Sequence, residues 1–309
     1  MVTQAFKMAG TPQLVFGAGV IHQLPGLIDD TAESILILTG ARSFRETNRW
    51  NDLLDTMIIR GVTIHEAIVS GEPSPDLVDG IVEKYRDAGI DTIIGIGGGS
   101  VVDAGKAVSA MMHEGRPVVD YLEGVGSGAK HSGDKVPYIA VPTTAGTGSE
   151  ATKNAVLSRV GTEGFKKSLR HDRFVPDTAV IDPELALSCP PPVTASCGMD
   201  AFTQLLESYV STNANPMTDT LAWSGLEHIT GSLLDAYHNG ATSIDARAGM
   251  AYAAYISGIT LANAGLGVVH GFASPVGGHC DIPHGTVCGS LMGPSVRAVS
   301  YTHLRAHET

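Results

Sequence analysis

The sequence predicts an α/β N-terminal half followed by an all-α C-terminal half, and three observations carry that expectation. Over residues 1–187, short aliphatic runs ending in glycine alternate with segments of helical period, the pattern of a parallel sheet covered on both faces. Over residues 188–298 only helical periods remain: PPPVTASCGMDAFTQLLESYVS, NPMTDTLAWSGLEHITGSLLDAYH and ARAGMAYAAYISGITLANAG. Finally, two loops rich in glycine and hydroxyls, 97–100 and 142–150, each follow a predicted strand at what would be the same edge of the sheet.

The elements follow in order. PQLVFGAG (12–19) reads as a short strand, and IHQLPGLI as a helical turn. SILILTG (34–40) is a buried strand bounded by glycine. NRWNDLLDTMIIRG has helical spacing through Trp50, Leu53, Leu54 and Met57, with Gly61 as its stop. VTIHEAIV is a strand, and 76–88 an amphipathic helix after the turn EPSPD. DTIIGIGGG (91–99) runs from strand into loop, and 100–112 is a helix with Ser100 as its expected N-cap. VPYIAVPTT (136–144) and TAVIDPEL (178–185) complete the strands.

With 43% hydrophobic and 17% charged residues, the chain carries enough apolar surface to build a core and too much for disorder. A formal net charge of −12 argues against nucleic acid or an anionic membrane as partner. Cys189, Cys197, Cys280 and Cys288 form no CxxC and read as isolated thiols, which fits a cytoplasmic protein. The start, MVTQAFKMAGTPQLVFG, lacks the pattern of a signal peptide. No Asp, Glu, Lys or Arg occurs between Arg247 and Asp281, but polar residues and glycines interrupt that stretch, so a buried helix is expected rather than a membrane span.

Gly97-Gly98-Gly99-Ser100 opens a helix, where free backbone amides can cradle a pyrophosphate, although the spacing matches neither GxGxxG nor a P-loop. Asp103 and Lys106 lie on the first turns of that helix. Asp103, like Ser149 of the second loop, is expected at the cofactor; the bland alternative for Asp103 and Lys106 is solvated surface charge. The second loop, 142–150, reads PTTAGTGSE and contains Thr143, Thr144, Thr147 and Ser149. Together the loops imply a Rossmann-like dinucleotide-binding domain. In GLGVVHGFASPVGGHCDIPHG (265–285), His270 and His284 lie fourteen residues apart across glycines and prolines that forbid one continuous helix. With Asp200 from TASCGMDAFTQ they form a plausible site for Fe²⁺ or Zn²⁺; the bland alternative is helix-capping or core histidines. After the strand ILILT, the run Gly40-Ala41-Arg42-Ser43 has no acid to bind a ribose 2′-hydroxyl. Arg42 and Ser43 suit a 2′-phosphate, so NADP is favoured over NAD.

GGGSVVDAGK, PTTAGTGSE, GMDAF and VHG…PHG, in that order, resemble the iron-containing (group III) alcohol dehydrogenase family of the dehydroquinate synthase-like superfamily, over about residues 17–296. The resemblance implies an active site between the two halves, with the GGGS glycines on the cofactor pyrophosphate and Thr143, Thr144 and Thr147 along the nicotinamide. Asp200, His270 and His284 would be metal ligands. A fourth family ligand, a histidine, is replaced by Gln204, whose amide oxygen is a weaker donor but stays among the expected ligands. A histidine often assigned to the proton path is replaced by Ser274, so the relay is expected through Ser274, water or His279. The implied activity is metal-dependent, NAD(P)-linked interconversion of a small alcohol and its aldehyde, in a homo-oligomer when full length. The rivals are a metal-independent reductase of the same family, a dehydroquinate synthase-like lyase and a non-catalytic nucleotide-binding remnant. Members run several helices longer, and residues 299–309, ending in YTHLRAHET, resemble translated adapter sequence. A foreign tail, a missing C-terminus and poor solubility are therefore expected.

Overall fold

The computed structural model describes residues 5–305. Six parallel strands, β1 (Gln13–Phe16), β2 (Ser34–Gly40), β3 (Thr63–Val69), β4 (Thr92–Gly97), β5 (Tyr138–Pro142) and β8 (Thr178–Ile181), form one sheet in the order β1-β8-β5-β4-β2-β3. Successive side chains of the central strands leave on opposite faces. Leu36 and Leu38 of β2 join a core built with α2 (Pro75–Tyr85) and α3 (Gly99–Met111), whereas Ile35 and Ile37 pack on the other face with α1 (Asn48–Ile59). Burial of both faces explains why these strands read as unbroken aliphatic runs.

Three local expectations are corrected. Helix α3 starts one residue earlier than expected, and its N-cap is Gly98 rather than Ser100: the Gly98 carbonyl accepts from the amides of Val101 and Val102, at 2.9 and 3.1 Å. The strand expected over 178–185 ends at Ile181, because the Asp182 side chain accepts from the Glu184 amide and opens a 3-10 turn. An antiparallel hairpin, β6 (Asn154–Arg159) and β7 (Phe165–Arg170), occupies a stretch for which no element was expected.

The sheet half closes with the 3-10 turn Pro183–Ala186. Five helices follow: α4 (Pro191–Tyr209), α5 (Pro216–Asn239), α6 (Ile244–Ala264), α7 (Val268–His279) and α8 (His284–Arg305). The uncharged stretch after Arg247 is α6, largely buried among α4 and α5, and α7, which meets it at 103°. Among the described residues no single helix is long and apolar enough to cross a membrane. Helix α8 runs on to Arg305, so the backbone marks no boundary at 299; residues 306–309 of the expected tail lie outside the described residues.

Candidate functional site

Asp200, Gln204 and Glu207 fall on one face of α4, at spacings of four and three residues, and all three are buried. Buried carboxylates require partners, and these find them on later helices. Glu207 lies under the start of α7, where its Oε1 accepts from the Val269 amide at 2.7 Å. Its Oε2 pairs with Nδ1 of His270 at 2.6 Å. That contact leaves His270 Nε2 facing Asp200, whose Oδ1 is 3.3 Å away. From the first turn of α8, His284 Nε2 comes within 3.9 Å of the same oxygen.

Helix α8 reaches this position because its inner face is glycine. A Cβ on Gly285 would lie 1.9 Å from the Ser196 carbonyl oxygen, and one on Gly289 would lie 3.1 Å from the Met199 Cβ. Only backbone fits between α4 and α8 there, and that close approach delivers His284 and, one turn later, Cys288 to Asp200.

The donor atoms of Asp200, His270, His284 and Cys288 all lie within 4.8 Å of one another. Burial disfavours charge on both imidazoles. At His270 the bonds to Asp200, Cys288 and Glu207 outweigh burial and raise the pKa to about 11; at His284 burial prevails and lowers it. Burial also acts to raise the Asp200 pKa, but the His270 bond and the nearby His284 charge hold it below the usual carboxylate value. Two carboxylates around one imidazole make a site that a cation balances, either the His270 imidazolium or a divalent metal. His284 Nδ1 is buried with no hydrogen-bond partner among the described residues, so the chain alone does not complete this network. Nitrogen and carboxylate donors in this compact, buried arrangement fit a divalent transition metal.

The dinucleotide edge forms where the strand order reverses. From β2 the chain moves outward to β3, and from β4 it moves the other way to β5, which opens a crevice at the carboxyl ends of β2 and β4. Gly40 ends β2 and Gly97 ends β4 beside it. The Thr143 amide donates to the Gly97 carbonyl at 2.8 Å, and a Cβ on Gly99 would meet Thr147 at 2.7 Å, so the two loops abut. Gly98, Gly99, Ser100, Thr144 and Thr147 keep partial exposure at this edge, Thr143 is buried, and Ser43 is exposed in the loop after β2. A Cβ on Gly146 would lie 2.8 Å from the Cys197 Cβ, three residues before Asp200. The loop expected to hold the nicotinamide thus rests on the helix that carries Asp200.

Two residues expected to contact the cofactor are engaged beneath it. Ser149 Oγ donates to the Asp103 carboxylate, and both residues are buried. Lys106 Nζ donates to the Ser149 carbonyl at 2.5 Å and to Thr152 Oγ1 and the Asn154 carbonyl, both at 2.9 Å. Burial pushes Asp103 up to about 6 and Lys106 down to about 8. These three residues tie the two loops together from below.

Gln204, expected among the metal ligands, accepts from Ser257 Oγ at 2.9 Å through its amide oxygen, and its side chain also bonds Asp200. A carboxylate can only accept, so the amide NH₂ faces Asp200 and the oxygen points to α6. Ser274 is half-buried one turn beyond His270 and makes no hydrogen bond to the cluster among the described residues. The sequence reading missed Glu207 and Cys288. Their signals were present in the spacings Asp200-x6-Glu207 and His284-x3-Cys288, each of which places a donor on the same helix face as a ligand.

The chain is similar to known proteins along most of its length. Residues 11–183 match the family profile described as iron-containing alcohol dehydrogenase. Residues 194–307 match the C-terminal profile of the Fe-containing alcohol dehydrogenase family. The chain is 42% identical over 216 residues to long-chain-alcohol dehydrogenase 1 of Geobacillus thermodenitrificans, covering 69% of this chain and 53% of the relative. It is 37% identical over 227 residues to NAD-dependent methanol dehydrogenase of Bacillus methanolicus, covering 74% and 58% respectively. The chain therefore matches little more than half the length of these relatives. A solved alcohol dehydrogenase from Oenococcus oeni superposes with a TM-score of 0.82 at 32% identity, covering 92% of this chain and 73% of that one. With two abutting glycine-rich loops, one of them resting on a helix whose carboxylate meets two imidazoles, and with the profiles matched across most of its length, the chain belongs to the iron-containing alcohol dehydrogenase family.

Proposed function

We propose that the protein is a metal-dependent, NAD(P)-linked alcohol dehydrogenase that interconverts a small alcohol and its aldehyde. The observation that carries this reading is the cluster of Asp200, His270 and His284, whose Asp200 sits on the helix that touches the second glycine-rich loop at Gly146. When bound, a divalent ion supplies Lewis acidity to the substrate oxygen, and the nicotinamide exchanges the hydride. Asp200, His270 and His284 hold the ion. Glu207 engages Nδ1 of His270, so that Nε2 is presented as a donor. The amides of Gly98, Gly99 and Ser100 at the start of α3 receive the pyrophosphate, and Thr143, Thr144 and Thr147 line the nicotinamide side. In oxidation of the alcohol, the carbon gives its hydride to the nicotinamide and the hydroxyl gives its proton to solvent. Ser274, half-buried one turn beyond His270, is the hydroxyl assigned to that exchange.

The absence of an acid after β2, with Arg42 and Ser43 exposed there, supports NADP over NAD. The names of two relatives, for a long-chain alcohol and for methanol, support an alcohol as substrate and leave its length open. Four free cysteines support a reducing, cytoplasmic setting, and the charge of −12 supports a small-molecule rather than nucleic-acid or membrane partner. A homo-oligomer is proposed from the family resemblance alone. The test measures metal content and NADPH-linked aldehyde reduction on one sample, before and after chelation. Near-stoichiometric metal, with activity lost on chelation and restored by Fe²⁺ or Zn²⁺, is expected. Activity that survives complete metal removal overturns the reading.

A further inference from the structure

We propose that Cys288 is the fourth protein ligand of the metal site, in the place that Gln204 leaves unfilled. This rests on the metal-dependent reading above and adds a thiolate to it.

Cys288 follows His284 by one helical turn on α8 and is fully buried, with a relative exposure of 0%. Its Sγ lies 3.6 Å from His270 Nε2, the nitrogen that also faces Asp200 at 3.3 Å. Those two separations match what one shared cation would impose, and the third, His284 Nε2 to Asp200 Oδ1, is longer at 3.9 Å. Bonds of about 2.0–2.1 Å to nitrogen or oxygen and about 2.3 Å to sulfur place tetrahedral neighbours about 3.3–3.4 Å apart for N and O, and about 3.5–3.6 Å for N and S. Gln204 does not compete for the position, because its oxygen is held by Ser257 on α6 and its NH₂ faces Asp200. The other cysteines stand outside the cluster: Cys189 precedes α4, Cys197 on α4 packs against Gly146, and Cys280 is exposed between α7 and α8. A soft sulfur donor in a set otherwise made of imidazole and carboxylate shifts the preference from Fe²⁺ toward Zn²⁺.

The test titrates Co²⁺ into the purified, chelator-treated full chain and reads the absorption spectrum, which reports ligand identity independently of turnover. One Co²⁺ per chain is expected, with a near-ultraviolet sulfur-to-cobalt charge-transfer band. Cys288→Ser should lack that band and bind on the order of tenfold to hundredfold more weakly. Cys280→Ser should keep both band and affinity. Should Cys288→Ser fail to fold, X-ray absorption of the zinc-loaded parent decides, through one sulfur at about 2.3 Å. One ion bound with no sulfur signal, or with unchanged affinity in Cys288→Ser, overturns the thiolate proposal and leaves the metal-dependent reading standing. No stoichiometric uptake by the parent, or uptake undiminished in His270→Ala, overturns both.

Discussion

The two ligand-binding regions of this chain are built on opposite principles. The dinucleotide edge uses backbone groups from two stretches, 97–100 and 143–149, each local in sequence and each attached to the end of a strand. The metal cluster uses side chains from three helices, and Asp200 and Cys288 are 88 positions apart. A strand end fixes its loop through ladder hydrogen bonds, whereas the cluster exists only if α4, α7 and α8 cross at the right distance. The first region should therefore tolerate damage to helix packing, and the second should not.

The largest expected effect breaks that comparison at the α4–α8 contact. Gly285→Val places side-chain atoms where the Ser196 carbonyl already sits. It should lower stability by about 1–3 kcal/mol and abolish stoichiometric metal binding. NADPH binding, followed by fluorescence titration, should persist; joint loss of both ligands would show that the two regions form one cooperative unit.

Next in size is Glu207→Gln, which keeps the shape but removes the charge that orients His270. Loss of such an outer-shell carboxylate lowers metal affinity by about 10–100-fold, which a competition titration with a chelating dye would read. An unchanged affinity would mean that the α7 backbone alone orients the imidazole.

A smaller effect should arise on the other side of the comparison. Gly99→Ala drives a methyl group into Thr147 and narrows the dinucleotide edge. The KM for the cofactor should rise roughly tenfold while metal content stays unchanged, as a local, backbone-built site requires.

The smallest expected effect concerns Glu150, buried behind the second loop with burial pushing its pKa up to about 7. Because its folded pKa lies above its ordinary value of 4.5, its contribution to stability is present below about pH 4.5 and lost as pH rises through about 7. Glu150→Gln removes that dependence, so its thermal midpoint should rise relative to the parent between about pH 5 and about pH 8. The gain should be only about 1 kcal/mol, because the variant also gives up attraction to Lys106. A shift in the opposite direction would mean that attraction to Lys106 outweighs the cost of burying the Glu150 charge.

The same contrast explains what could be read before the structure. Gly97–Ser100 and the hydroxyl loop were legible because an aliphatic run followed by glycine encodes a strand end and its turn within about ten residues. His270 and His284 stood out because glycines and prolines bracket them. Cys288 did not, since a single apolar thiol one helical turn after His284 reads equally well as a core residue. The hairpin β6–β7 escaped because its strands carry Lys and Arg on exposed positions and read as surface loop. Asp103 and Ser149 showed the right residue types at the right edge, and only coordinates reveal that they point down to Lys106 rather than out to a ligand.

By itself the sequence determined the two-part architecture, the two glycine-rich loops at the sheet edge and three members of the buried cluster, Asp200, His270 and His284. All of these follow from hydrophobic period, glycine placement and donor chemistry along the chain. Only the tertiary structure placed the Cys288 thiol beside those three, the Glu207 carboxylate on His270 Nδ1, and Asp103, Lys106 and Ser149 on one another. Those outcomes depend on how closely helix backbones approach, and that distance is set by packing between segments tens of residues apart.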